Sequence, residues 1–270
     1  MKQETENLLA VENASAGYGS QLVLRDVSLR VAASERVGLL GPNGSGKTTL
    51  LRLLGCLIAP KSGDVILKGR SLKNWPARER AKILAGVPQS PGAPVPLRVR
   101  DIVATGRLPH VGDWSALREA DDAAISAALE AVDMSAKADR LIDELSAGER
   151  QRAWLAMALA QQPEILLLDE PTAHLDIHQA WHLMELLASW ADEKKLTVIF
   201  STHDLNLAAA FCSRTVLLKD GRIFSDGPPR EVFNAEKLSA VFAHPLEVQT
   251  GDGPSRVVPR RKLSNPEAKK

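Results

Sequence analysis

The stretch Gly41-Pro42-Asn43-Gly44-Ser45-Gly46-Lys47-Thr48-Thr49 satisfies the phosphate-binding pattern G-x-x-x-x-G-K-[ST] without a gap, and it narrows what this chain can fold into. The pattern belongs at a strand-to-helix turn, and its flanks agree. Arg36 to Leu40 reads as a short buried strand, and Thr48 to Leu57 carries the apolar run of a helix. Glycines lacking Cβ let consecutive backbone N–H groups curl around a polyphosphate, while the helix start adds unpaired donors and the positive end of its dipole. Lys47 then reaches the β- and γ-phosphates as a point charge, and the Thr48 hydroxyl is a ligand for Mg²⁺. A Gly-rich loop that merely turns the chain is the plain alternative, but the pattern arises by chance in roughly one chain in a hundred of this length.

At 270 residues and 44% hydrophobic content the chain has enough apolar material for one large domain, or one domain with an inserted lobe. Lys and Arg number 34 against 33 Asp and Glu, so there is no global basic field and no nucleic-acid partner is expected. Cys56 and Cys212 lie on apolar helical patterns away from any metal-ligand spacing, which predicts two buried thiols in a reducing compartment. Met1 to Asn7 is polar and acidic rather than a targeting segment, and no uninterrupted apolar run is long enough to cross a bilayer. A protein that is soluble, or held at a membrane only by a partner, is expected.

Ahead of the loop, Leu8 to Asn13 and Asp26 to Val31 read as strands joined through Gly17-Tyr18-Gly19-Ser20. Tyr18, the only tyrosine, offers a flat apolar surface of the kind a nucleotide base needs, or else packs on its own loop. Gly63 to Leu72 is a further strand with a turn at Lys68-Gly69-Arg70, a short helix starts near Pro76, and Ile83 to Val87 is a strand ending at Pro88-Gln89. Gln89 therefore stands where open α/β sheets present groups to a ligand. Ser90 to Pro96 is a Pro-rich connector, and Val99 to Leu159 is helical in pattern, an inserted lobe in which Leu117, Ala120, Ala124, Ala128 and Val132 share one stripe. Ser146 and Glu149 form a capping-box pattern ahead of a helix through Ala160, and that helix start, with the Gly148 N–H, is a second anion-binding surface.

Ile165 to Leu168 closes on Asp169 and Glu170, as expected of a central strand buried on both faces that delivers carboxylates at its end. Asp169 is the acid to hold Mg²⁺, directly or through water. Glu170 points to the other side, where it can accept a proton from an attacking water. Pro171 to Asp176 is a turn and Ile177 to Ala191 a helix. His174, His178 and His182 fall four apart, which raises a metal reading, but no cysteine or carboxylate completes a set nearby. Leu196 to Ser201 is another buried strand, and His203 follows it directly, placed to donate to a γ-phosphate oxygen. A hairpin turn at Lys219-Asp220-Gly221 and a helix near Pro229 come next. From Gly251 on, the composition predicts a loose tail.

Together Tyr18, GPNGSGKTT at 41–49, Gln89, LSAGERQR at 145–152, ILLLDEPT at 165–172, AHLD at 173–176 and STHD at 201–204 resemble, in order, the nucleotide-binding subunit of ATP-binding cassette transporters. The LSxGE element separates that family from other P-loop proteins. The resemblance implies an α/β fold: a P-loop NTPase sheet with an N-terminal antiparallel β subdomain and a helical subdomain inserted at about 90–160, one domain over 1–250 with a tail over 251–270. It also implies a homodimer of cassettes, in which Ser146 and Gly148 of one chain complete the ATP site on the P-loop of the other. It assigns Tyr18 to the adenine, Gln89 to Mg²⁺ and to the transporter contact, Asp176 to communication across the dimer, and His203 to the γ-phosphate. The implied partners are transmembrane permease subunits and, indirectly, a substrate-binding protein, with this chain peripheral at the cytoplasmic face of the plasma membrane.

More narrowly, Gly106 to His110, the segment from Leu196 to Ala209, and Gly227-Pro228 to Val232 are similar to the ATPase subunits of importers for iron-siderophore complexes, haem and cobalamin. Departures are Ala147 for the usual first signature glycine, Ala173 for the usual serine, and the His178-Gln179 pair one residue early. Two rivals are a cassette ATPase of translation or DNA repair, which usually fuses two cassettes or carries long inserts, and a P-loop kinase, which needs an acceptor pocket.

Overall fold

The computed structural model describes residues 7–89, 96–111 and 117–260. The Pro-rich connector falls almost wholly on residues 90–95 and so lies outside the described residues. The chain opens with a long antiparallel hairpin, β1 (Asn7–Tyr18) and β2 (Gln21–Ala32), bent by register shifts at Val11/Ala14 and Ala14/Ala16. Next come β3 (Arg36–Leu40), α1 (Lys47–Leu54), β4 (Ser62–Leu67) and the short β5 (Arg70–Ser71). The antiparallel sheet has the order β2-β1-β4-β5.

After α2 (Ala77–Ile83) and β6 (Leu84–Val87) the chain enters the helical part, with α3 (Val99–Thr105), α4 (Glu119–Ala131) and α5 (Ala147–Ala160). It returns through β7 (Ile165–Asp169), α6 (Ile177–Lys194), β8 (Thr197–Ser201), α7 (Leu205–Phe211), β9 (Arg214–Lys219) and β10 (Arg222–Gly227). The second sheet has the order β10-β9-β3-β8-β7-β6, parallel except for the edge hairpin β9-β10. The short α8 (Pro229–Val232) and α9 (Ala235–Phe242) lead to a last hairpin, β11 (Leu246–Gln249) and β12 (Arg256–Pro259).

The central strands are apolar without a break because both faces are covered. Ile165, Leu167, Ile199, Val216 and Leu218 join the cluster under α1 and the antiparallel sheet, whereas Leu166, Leu168, Val198, Phe200 and Leu217 face the cluster built by the helices. The two-residue alternation continues to the end of β7, so Asp169 points to the α1 side. Parallel register sets Leu39 opposite Ser201 and Ser201 opposite Asp169, which brings the ends of β3, β8 and β7 to one level.

Three expectations change. The buried face of α4 is Asp121, Ala124, Ile125, Ala128, Leu129 and Val132; Leu117 precedes the helix and Ala120 lies on its exposed side. Asp121 joins that face because the buried Arg107 donates to it at 2.9 Å. The tail is not loose throughout. Arg256–Pro259 pair with Leu246–Gln249, and Val257 is buried against α7, where the Asn206 side chain donates to Val257 O and accepts from Val257 N–H. A side-chain amide there stands in for a neighbouring strand, so a segment with little apolar content still docks. Finally, only Cys212 is buried, its thiol pKa pushed up by that burial, while Cys56 is partly exposed just past α1; both are free thiols.

Candidate functional site

At the carboxyl end of β3 the loop from Gly41 to Gly46 leaves no room for a side chain at either of its end glycines. A Cβ on Gly41 (φ +145°) would lie 2.3 Å from Leu218 O and 2.7 Å from Ser45 Oγ, and one on Gly46 (φ +107°) would lie 2.7 Å from Leu24 Cδ2. Gly46 caps α1 with no side-chain hydrogen bond, so the first N–H groups of that helix face a ligand site rather than a protein partner. Ser45 Oγ is buried and without a hydrogen-bond partner. A glycine cradle, an orphaned hydroxyl and an uncapped helix start fit a polyphosphate.

Lys47, 5% exposed, gives two of its three ammonium donors to Gly41 O (2.8 Å) and Pro42 O (3.2 Å). Burial lowers its pKa, and the neighbouring charges of Glu170 and Asp169 oppose that shift. Across from the lysine, Thr48 Oγ1 donates to Asp169 Oδ1 (3.1 Å), and Ser201 Oγ donates to the same oxygen (2.7 Å). A hydroxyl and a carboxylate within one hydrogen bond of each other form an oxygen donor set that suits Mg²⁺.

Glu170 adopts a left-handed backbone (φ +50°) immediately after β7, and its side chain is 12% exposed. His203 Nε2 lies 2.6 Å from Glu170 Oε1, and Gln89 Nε2 donates to Glu170 Oε2 (2.8 Å). With Glu170 ionised the carboxylate only accepts, and the ring proton of this pair is then on His203 Nε2. Asp204 accepts from the N–H groups of Asn206 and Leu207, both at 2.9 Å, and so caps the start of α7 directly after His203.

Asn43, Gly44, Gly46, Lys47, Thr48, Thr49, Gln89, Glu170 and His203, together with Val23, enclose a cleft of about 420 Å³. Tyr18 is not in its wall. It stands at the tip of the first hairpin, 43% exposed, with its hydroxyl accepting from Arg52 of α1 at 2.9 Å. Ser146, Gly148 and Asp176 form a separate cluster. Ser146 and Glu149 close their capping box, with Ser146 N–H to Glu149 Oε2 at 2.8 Å and Glu149 N–H to Ser146 Oγ at 3.3 Å. The Gln179 side chain packs on Gly148, within 2.8 Å of where a Cβ would stand, while Gln179 N–H donates to Asp176 Oδ1 (2.8 Å). No residue of this cluster lines the P-loop cleft.

Lys137 pairs with Glu149, and this contact, with the Ser146 N–H, holds the Glu149 carboxyl down at about 2. The rings of His178 and His182 stack 6.3 Å apart, and His182 Nε2 lies 3.0 Å from Asp133 Oδ2, tying α6 to the end of α4; no metal-holding group of three is found among the described residues. Val23 and Ser201 are the cleft and site residues that the sequence does not single out. Val23 is one more apolar residue of a strand, whereas a serine ending the buried run of β8 is a usable signal.

Known proteins share this organisation. The ABC transporter family profile matches residues 24–173. The hemin import ATP-binding protein HmuV of Pseudomonas aeruginosa is 42% identical over 254 residues, 92% of this chain and 97% of its own length. The iron(3+)-hydroxamate import ATP-binding protein FhuC of Bacillus subtilis is 37% identical over 244 residues, 90% of this chain and 91% of its own. Among solved structures, a chain of a metal-chelate-type ABC transporter in an inward-facing conformation superposes with a TM-score of 0.83 at 28% identity, covering 95% of this chain and 98% of that one.

Proposed function

The chain belongs to the ABC transporter family, and from that premise we propose that it is the ATP-hydrolysing subunit of a membrane importer for an iron-siderophore complex or haem. The observation that carries the reading is the convergence of Lys47, Thr48, Gln89, Glu170 and His203 on one cleft at the carboxyl ends of parallel strands, with Asp169 hydrogen-bonded to Thr48 beside it. Import relatives at this level of identity support transport over a role in translation or DNA repair, and support iron and haem cargo more than cobalamin.

ATP would place its phosphates in the loop from Gly41 to Thr49, with the Lys47 ammonium on the β- and γ-phosphates and Tyr18 offering the adenine a flat face. Thr48, Asp169 and Gln89 would hold Mg²⁺, which when bound neutralises charge on the phosphoryl oxygens. Glu170 orients the attacking water and takes its proton, and His203 Nε2–H, which meets Glu170 in this structure, turns to a γ-phosphate oxygen. The separation of the Ser146, Gly148 and Asp176 cluster from the cleft supports a head-to-tail homodimer in which each chain completes its partner's site. No helix among the described residues is long and apolar enough to cross a membrane, which is compatible with a peripheral position on permease subunits at the cytoplasmic face, supplied by a substrate-binding protein.

Co-purification with the membrane partner, followed by ATP turnover with each of a ferric siderophore, haem and cobalamin on the cognate binding protein, tests this. Stimulation by an iron chelate or haem is expected. Capture of ribosomes or DNA in place of membrane protein, or a phosphorylated acceptor in place of free phosphate, would overturn it.

A further inference from the structure

Ser201 is the last residue of β8, fully buried, and its single hydroxyl bridges Asp169 and Glu170. Its proton goes to Asp169 Oδ1 (2.7 Å), and its oxygen accepts the backbone N–H of Glu170 (2.9 Å). Asp169 Oδ1 therefore receives two hydroxyls, from Ser201 on one strand and Thr48 on α1, and two donors on one oxygen stop the carboxylate from rotating. Glu170 sits in the left-handed region, which a residue with a Cβ holds only when its surroundings impose it. The Ser201 oxygen is one of the groups that impose it. The hydroxyl thus sets the aim of the acid that would hold the cation and the backbone of the acid that would take the proton.

We propose that Ser201 is a positioning residue for hydrolysis, coupling the orientation of Asp169 to that of Glu170 through one hydroxyl; this rests on the roles proposed above for those two acids. The alternative source of order, the parallel ladder alone, would be indifferent to the hydroxyl, since β7 and β8 pair through backbone from Ile165 to Asp169. Alanine fits the space without a clash and removes both bonds. Threonine restores the hydroxyl.

The test compares Ser201→Ala, Ser201→Thr and Glu170→Gln with the unaltered full-length chain. Turnover is measured at saturating Mg²⁺ and ATP, and ATP binding is followed by thermal shift in EDTA and over a Mg²⁺ titration. Ser201→Ala should lower turnover about tenfold or more, a loss of about 1.4 kcal/mol in transition-state stabilisation. It should raise the half-effective Mg²⁺ concentration about threefold or more, yet leave ATP binding in EDTA within about twofold, because the glycine cradle is untouched. Ser201→Thr should recover turnover to within about threefold of the unaltered chain.

Full turnover in Ser201→Ala, equal loss of ATP binding with and without Mg²⁺, or a threonine variant that folds with an unchanged melting temperature yet is as defective as alanine would each overturn the proposal. The Mg²⁺ titration of the alanine variant decides the matter on its own if threonine overfills the site. Glu170→Gln separates the two layers. Retained turnover there removes the premise, whereas an inactive Glu170→Gln beside a fully active Ser201→Ala removes only the role of Ser201.

Discussion

Replacing Glu170 by glutamine removes a proton acceptor while changing almost nothing else. Both carboxylate oxygens are engaged, Oε1 with His203 Nε2 at 2.6 Å and Oε2 with Gln89 Nε2 at 2.8 Å. A glutamine of the same shape can accept from Gln89 through its carbonyl and donate through its amide to His203 once the ring proton moves to Nδ1, so each contact survives as a neutral hydrogen bond. Exchanging a charged for a neutral hydrogen bond at a largely buried position costs about 1–2 kcal/mol at most. The left-handed backbone at Glu170 is unaffected, because glutamine carries the same Cβ. Loss of the base proposed here should be the dominant effect, on the order of 10² to 10⁴ in rate, or about 3 to 5 kcal/mol. Phosphate release at saturating ATP should fall by that factor while the Kd for Mg²⁺-ATP, read with a fluorescent nucleotide, stays within about threefold. A turnover number within about threefold of the parent would refute the assignment of Glu170 as base, and a parallel loss of ATP binding would refute the claim that the cleft is held together without its charge.

Two further outcomes follow from packing and charge. Asp121→Ala leaves the buried Arg107 guanidinium with Ala160 O and Gln162 Oε1 but no counter-charge, and should destabilise the fold by about 3–5 kcal/mol in urea titration; a loss under about 1 kcal/mol would show that the pair is solvated. Glu149, held at about 2 by Lys137 and the Ser146 N–H, stabilises the folded chain while ionised, and that contribution disappears as pH falls from the usual glutamate range, 4.5, toward about 2. Melting temperatures across that window should therefore drop more for the parent than for Glu149→Gln, and identical profiles would contradict the pairing.

The phosphate loop and the acid-ended strand were legible in the sequence because each combines a local pattern with a required setting. Gly41 to Thr49 has to lie between a strand and a helix, and four apolar residues running into Asp169 and Glu170 require a strand covered on both faces. The legible part stopped where a contact depends on register rather than on local order. Ser201 meets Asp169 because β7 and β8 are neighbours in parallel register, and nothing in the run from Leu196 to Ser201 says which strand lies beside it. The Arg256–Pro259 strand was missed for a related reason: its partner for Val257 is the side chain of Asn206, distant in sequence, so composition alone reads as loose chain. Helical spacing places Leu117 on the packed stripe, but α4 begins two residues later, at Glu119, and Asp121 takes the inward position through its ion pair.

The central claim is that ATP on the P-loop of one chain is read by Ser146 and Gly148 of another. Light scattering of the hydrolysis-deficient Glu170→Gln chain, with and without an added Ser146→Arg substitution, tests it most directly. With ATP and Mg²⁺ the single variant should double in mass, while the double variant should bind ATP as tightly and remain a monomer. Mass doubling that ignores Ser146→Arg, or loss of ATP binding by the isolated double variant, would contradict the account.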